Sequence, residues 1–192
     1  MKVKIIGNGT WGNAIHSIIK TNCDDSSIVK RQEQVDTCDV IIMAVPTQSI
    51  RTALTFVPAN HKHKILINTS KGIEKDTHLL PHQIIASVLG DGIDYFSLIG
   101  PSFADEVVKK MPTLVNLGYR KKINHNNMQR LFQTDYFRVR LTTGIEALEL
   151  SAAFKNIYAI ACGLADGMRY GVNTRIKLIV QAMEEMGGLF EK

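Results

Sequence analysis

The chain has 192 residues, 45% of them hydrophobic and 21% charged, so it can bury a sizeable core as a soluble globular protein of one domain or one and a half. Its net charge of +5 suits an anionic small molecule; the basic clusters Lys109-Lys110, Arg120-Lys121-Lys122 and Arg138/Arg140 are not interleaved with aromatics and accompany no nucleic-acid motif, which sets nucleic acid aside. The scattered cysteines Cys23, Cys38 and Cys162 exclude a disulfide framework and a CxxC motif.

The chain enters a strand-like run at residue 2, with no signal peptide before it, and a cytoplasmic protein is expected. Residues 3–6 read as a buried strand, followed by Gly7-Asn8-Gly9-Thr10-Trp11-Gly12 and a helix over 13–20. In a strand–loop–helix unit the first glycine allows the turn, the second lets a pyrophosphate approach and the third lets helix and strand pack closely. The helix N-terminus then offers free N–H groups to phosphate. A purely structural tight turn is the competing reading.

Residues 26–30 suit a second strand. A dinucleotide-binding fold for NAD commonly ends this strand with an acid on the ribose 2′-hydroxyl, whereas Lys30 and Arg31 stand here. Basic residues there would accept a 2′-phosphate, so NADP(H) is favoured over NAD(H), unless the two are surface cations. Residues 39–46 form another core strand, yet only residues 31–38 separate it from Lys30, and a parallel crossover usually needs a dozen residues or more. Either the second strand is irregular or a strand–helix unit is missing, which predicts an atypical sheet edge.

Further on, the pattern predicts a helix over 48–57, a strand over 64–69 ending in Ser70-Lys71-Gly72-Ile73-Glu74, and a helix over 77–89 with Pro81 in its first turn. A strand over 95–99 leads into Gly100-Pro101-Ser102-Phe103-Ala104-Asp105-Glu106, where Ser102 and Asp105 fit a capping box. Strands over 113–117 and 137–141 flank a helix over 126–133. A last helix over 174–186 stops at Gly187-Gly188. The pairs His61/His63 and His78/His82 have loose metal-like spacing, but without nearby Cys or acid clusters they read as solvated histidines.

The run over 145–164 is almost uniformly apolar, which predicts a buried helix. Glu146, Glu149, Lys155 and Asn156 within it argue against a membrane span. Lys155 has no carboxylate at helical pairing distance, so it needs a partner from elsewhere, such as an anionic ligand, unless it snorkels from the helix edge.

Taken in order, Gly7-Asn8-Gly9-Thr10-Trp11-Gly12, Ala44-Val45-Pro46, Ser70-Lys71-Gly72, Gly100-Pro101-Ser102-Phe103-Ala104 with Glu106, Phe137-Arg138-Val139 and Phe154-Lys155-Asn156 resemble the NAD(P)-dependent glycerol-3-phosphate dehydrogenases of bacteria. The resemblance covers nearly the whole chain. It implies an α/β architecture: a Rossmann-like, mostly parallel sheet over residues 1–142, then the start of an all-helical substrate domain over 143–192. It implies reduction of dihydroxyacetone phosphate to sn-glycerol 3-phosphate for glycerophospholipid synthesis, by a homodimer with no nucleic-acid partner. By position, Lys155, Lys71 and Asn156 take the catalytic places. Gly7, Gly9, Thr10, Trp11, Gly12, Arg31, Ala44, Val45, Pro46, Lys71 and Ala104 would meet the cofactor, and Lys71, Gly100, Ser102 and Lys155 the substrate. A cation at Lys71 would lower the pKa of Lys155 and make it a better proton donor to the oxyanion.

Against that pattern the chain is shortened between the glycine loop and Ala44, and after Lys192. The resemblance places an aspartate partner of Lys155 and an arginine clamp for the substrate phosphate in the part after Lys192. Gln181-Ala182 and Ser151-Ala152 also depart from it. The helices over 145–164 and 174–186 would then lack cover on their apolar faces. A catalytically impaired nucleotide-binding remnant is the alternative function, and a dehydrogenase of the β-hydroxyacid type a more distant one.

Overall fold

The computed structural model describes residues 1–29, 35–58, 60–90, 92–121 and 123–188. Its centre is a seven-stranded sheet of β1 (Val3–Ile6), β2 (Ser26–Ile28), β3 (Val40–Met43), β4 (Ile65–Asn68), β5 (Asp94–Ile99), β6 (Thr113–Tyr119) and β7 (Phe137–Thr142), in the order β2-β1-β3-β4-β5-β6-β7. All neighbours run parallel except β5 and β6. The four residues of β3 are all buried, as a strand covered on both faces requires. One face packs on α1 (Thr10–Ile19), α4 (Ala104–Val108) and α5 (His125–Phe132) through Ile15, Ile18, Val107 and Phe132. The other packs on α2 (Ile50–Leu54) and α3 (Pro81–Leu89) through Ile50, Leu54, Ile84 and Ile85.

The sheet edge is atypical in the way the short connection foretold. β2 has only three half-buried residues and pairs with β1, and the chain then crosses β1 to form β3 on its other side. A full dinucleotide-binding sheet carries two strands outside the first; here β1 has one. Val35 and Cys38 are buried after the crossover, where the Val35 N–H donates to Phe56 O at 3.2 Å. Lys30 and Arg31 lie outside the described residues.

Several boundaries move for local reasons. The helix expected over 77–89 starts at Pro81, because the residue before a proline is pushed to extended backbone: Leu80 has φ −74° and ψ 158°. The helix expected over 48–57 shrinks to α2, preceded by a 3₁₀ turn at Thr47–Ser49. The Ser102 capping box does not form. Phe103 occupies the cap position of α4, and the Ser102 hydroxyl turns back to Gly100 O at 3.3 Å.

The largest correction concerns α6 (Ile145–Gly167), which pairs with α7 (Val172–Gly188) as a helical hairpin. A helix buried all round was expected, yet only Ile145, Glu149, Ala152 and Ala165 are buried. The first two turns of α6 rest on the sheet; from Lys155 onward the chief neighbour is α7, on one side. Ile157, Ile160 and Leu164 are therefore 58%, 65% and 63% exposed, and Met183 on α7 is 66% exposed, so both helices do lack cover. Among the described residues no helix is long and apolar enough to cross a membrane.

Candidate active site

β1 ends in a loop whose shape its glycines dictate. Gly7 has φ +122°, and a Cβ there would stand 2.2 Å from Ala44 O. A Cβ at Gly12 would stand 2.0 Å from Gly7 O. Any other residue at either place would push the loop from β3 or α1 from the loop. Gly9 differs: nothing described lies within 4 Å of its missing Cβ, so its open side faces the groove. The Asn13 amide staples the loop by donating to Asn8 O and Gly9 O, both at 2.9 Å. No described side chain caps α1, which leaves its first-turn N–H groups available to an anion.

Opposite this loop stand Ala44, Val45 and Pro46 at the end of β3, and with Thr10, Trp11 and Ala104 they line a cavity of about 400 Å³. The Trp11 indole N–H is buried there and has no partner among the described residues. An uncapped helix, an open backbone cradle at Gly9 and an orphaned donor suit a phosphate-bearing nucleotide. Lys71 and Ser102 close the far end of the groove.

Lys71 follows β4 on a tightly held turn. The Thr69 hydroxyl donates to Met43 O at 2.9 Å, the Ser70 hydroxyl to Val45 O at 2.6 Å, and Asn68 brackets Ser70 through both its amide atoms. The Lys71 ammonium donates to Gly100 O at 3.0 Å and lies 5.8 Å from the centre of the Trp11 ring, within cation–π reach. Burial, and then the charge of Lys155, hold its pKa below the ordinary lysine value.

A second cavity of about 390 Å³ continues past Lys71, lined by Gly100, Ser102, Asn116, Leu148, Ser151 and Lys155 among others. The two cavities share Lys71, Ser102 and Phe103. Lys155 is exposed at this mouth rather than buried, and its ammonium donates to Asn156 Oδ1 at 2.8 Å. Asn156 is exposed beside it and is not part of the cavity wall. The structure thus gathers Gly9, Thr10, Trp11, Ala44, Val45, Pro46, Lys71 and Ala104 in one groove, and Lys71, Gly100, Ser102 and Lys155 in the next. Gly7 and Gly12 act from behind the groove by packing.

Two residues went unassigned from sequence. Glu149, 1% exposed, accepts the His82 backbone N–H at 3.1 Å and the Tyr95 hydroxyl, and lies 2.8 Å from His82 Nδ1. His82 is accordingly buried rather than solvated, and Tyr95 is held well above its usual pKa by burial and then by the Glu149 charge. The available signal was a carboxylate inside an apolar helical run. Asn116 lines the second cavity from the middle of β6, where it interrupts apolar neighbours. Among the described residues no cluster of His, Cys, Asp or Glu could hold a metal ion.

Residues 29–125 match the family described as NAD-dependent glycerol-3-phosphate dehydrogenase N-terminus, and residues 145–192 match its C-terminus. A glycerol-3-phosphate dehydrogenase (NAD(P)+) of Solidesulfovibrio magneticus is 32% identical, over 98% of this chain and 68% of its own length. That alignment spans 224 positions, more than the 192 of the chain, so the relative carries internal residues without a counterpart here. A Desulfotalea psychrophila enzyme of the same name is 38% identical over 77% of this chain and 45% of its own. Among solved structures, glycerol-3-phosphate dehydrogenase from Coxiella burnetii superposes with a TM-score of 0.86 at 22% identity, over 99% of this chain and 68% of that one. A pyrroline-5-carboxylate reductase from the same organism reaches 0.59 at 13%, over 100% and 80%. At such identities the superpositions speak for the fold alone.

Proposed function

This chain belongs to the NAD-dependent glycerol-3-phosphate dehydrogenase family, and from that premise we propose that it reduces dihydroxyacetone phosphate to sn-glycerol 3-phosphate, a precursor of glycerophospholipids. The observation that carries the reading is the meeting of Lys71 and Lys155 where the nucleotide groove opens into the second cavity. The nicotinamide dinucleotide, when bound, supplies the hydride. NADPH is the preferred form on the strength of Arg31, with NADH as the alternative.

The α1 N-terminus and the Trp11 indole N–H hold the dinucleotide, with Ala44, Val45, Pro46 and Ala104 as walls. Gly100 and Ser102 flank the substrate next to Lys71. As hydride reaches the carbonyl carbon, negative charge grows on its oxygen. The Lys155 ammonium stabilises that charge and donates the proton, and Lys71 adds a fixed positive field. Asn156 keeps the Lys155 ammonium in place through its 2.8 Å hydrogen bond. Residues 1–142 form the nucleotide domain, which also lends Lys71, Gly100 and Ser102 to the substrate, and 143–192 the start of the helical substrate domain. A cytoplasmic location belongs to the same reading, as does a homodimer, which the uncovered apolar faces of α6 and α7 favour; a monomer by sedimentation at micromolar concentration would refute that assembly.

The test is the loss of nicotinamide absorbance on mixing protein, NADPH and dihydroxyacetone phosphate. Turnover that depends on the ketone, and that falls on the order of a hundredfold or more in Lys155→Met, is expected. The exposed faces of α6 and α7 favour a second reading, a nucleotide-binding remnant. NADPH binding without any ketone-dependent oxidation would decide for it and against the enzyme.

A further inference from the structure

We propose that a cavity at the rim of the sheet opposite Lys71 is a second binding site, one that takes a small carboxylate with an apolar body. It goes beyond the reaction proposed above and uses none of its residues.

Topology sets the place. β5 ends at Ile99, next to the Gly100 carbonyl that holds Lys71, and begins at Asp94. β6 runs antiparallel to it, with Tyr119 opposite Phe96, so Arg120 emerges at the Asp94 rim. The five steps along β5 put the two rims about 17 Å apart. A cavity of about 360 Å³ opens between α3 and these strand ends, and it shares no residue with either cavity at Lys71.

Its inner wall holds a histidine committed at one nitrogen only. The His82 side chain is 5% exposed, and its Nδ1 lies 2.8 Å from Glu149 Oε2, which makes Nδ1 the protonated nitrogen. Nε2 has no partner among the described residues, and His82 lines the cavity. A buried ring nitrogen without a partner is a group that a ligand can satisfy. As an imidazolium the ring donates from Nδ1 to Glu149 and from Nε2 to an anion.

Charge at the mouth selects the sign of that ligand. Arg120 and Lys121 are both exposed there, and Arg120 has no hydrogen bond or ion pair among the described residues. The acid of the wall, Asp94, already accepts from the Asn124 amide at 3.2 Å and feels the charge of Lys121. Two cations against one acid leave a single positive charge, which a carboxylate matches. A guanidinium fork can take both of its oxygens. Ile85, Ile93 and the Tyr95 ring make the rest of the wall apolar, which favours an organic anion over a bare inorganic one.

The experiment titrates benzoate, its neutral analogue benzamide and the cation benzylamine into the protein by calorimetry, with NADPH present throughout. The parent is compared with the double variant Arg120→Gln, Lys121→Gln. The His82 Nε2 resonance is followed by NMR, and NADPH affinity and thermal unfolding are measured on each protein. The parent should bind benzoate about tenfold or more tightly than benzamide or benzylamine, and benzoate should shift the His82 Nε2 signal. The double variant should lose about tenfold or more in benzoate affinity, with NADPH affinity and unfolding unchanged. A His82 signal that benzoate does not move, equal binding of benzoate and benzamide, or equal benzoate affinity in parent and variant would each overturn the site. Absence of ketone-dependent NADPH oxidation bears on Lys155 alone and is distinguishable from all three.

Discussion

Replacing Glu149 by leucine tests the idea that a buried carboxylate fastens α6 to the sheet. Glu149 is 1% exposed and faces three donors: the His82 backbone N–H, the His82 ring and the Tyr95 hydroxyl. Leucine fills similar volume and accepts none of them. A stranded buried donor costs about 1–3 kcal/mol, and breaking a buried charged network about 3–5 kcal/mol, so a loss of roughly 3–5 kcal/mol is expected after relaxation. Against a typical total of about 5–15 kcal/mol, that should move the urea midpoint far down at unchanged slope. Glu149→Gln keeps the shape and one acceptor but turns an amide NH₂ toward a donor, and should cost less, about 1–3 kcal/mol. The triple variant Glu149→Leu, His82→Leu, Tyr95→Phe removes the side-chain donors as well and should recover most of the loss, leaving only the His82 backbone N–H unpaired. A Glu149→Leu penalty below about 1 kcal/mol, or a triple variant no more stable than the single, would refute the argument.

Lys71 gives a pH-dependent prediction. Its folded pKa is depressed by burial and by Lys155, so the unfolded chain binds the proton more readily, and parent stability should rise as pH climbs from the depressed value toward the ordinary one. Lys71→Met should lose catalysis, be at least as stable as the parent near neutrality, and lack that rise; parallel stability–pH curves would count against it. Gly12→Ala should fail to give native protein, since its Cβ would meet Gly7 O at 2.0 Å, whereas Gly9→Ala should unfold at the parent temperature and bind NADPH about tenfold or more weakly; equal NADPH affinity would remove Gly9 from the cradle. The Cys38 thiol, pushed up in pKa chiefly by burial, should react with iodoacetamide more slowly than in the urea-unfolded chain; equal rates would contradict its burial.

The strands β3 to β6 and the residues gathered around the grooves were legible in the chain because they depend on local rules. Gly7 and Gly12 announce a backbone that admits no Cβ, and a buried strand such as residues 40–43 announces itself by its apolar run. Residues at the carboxyl ends of parallel strands fall at one rim, so Ala44, Lys71 and Gly100 had to converge once the strands were found. Other features depend on what a segment meets in space. The composition of α6 promised burial, but burial belongs to the neighbours, and past Lys155 α7 covers only one side. His82 looked solvated until α6 delivered Glu149 to it, and Tyr95 acquired its partner the same way. Arg120 and His82 came to line one cavity only where α3 meets the ends of β5 and β6. Periodicity and turn chemistry reside in adjacent residues and are written in the chain; register, cover and the partners of buried charges come from residues tens of positions apart, and only the folded sheet decided them.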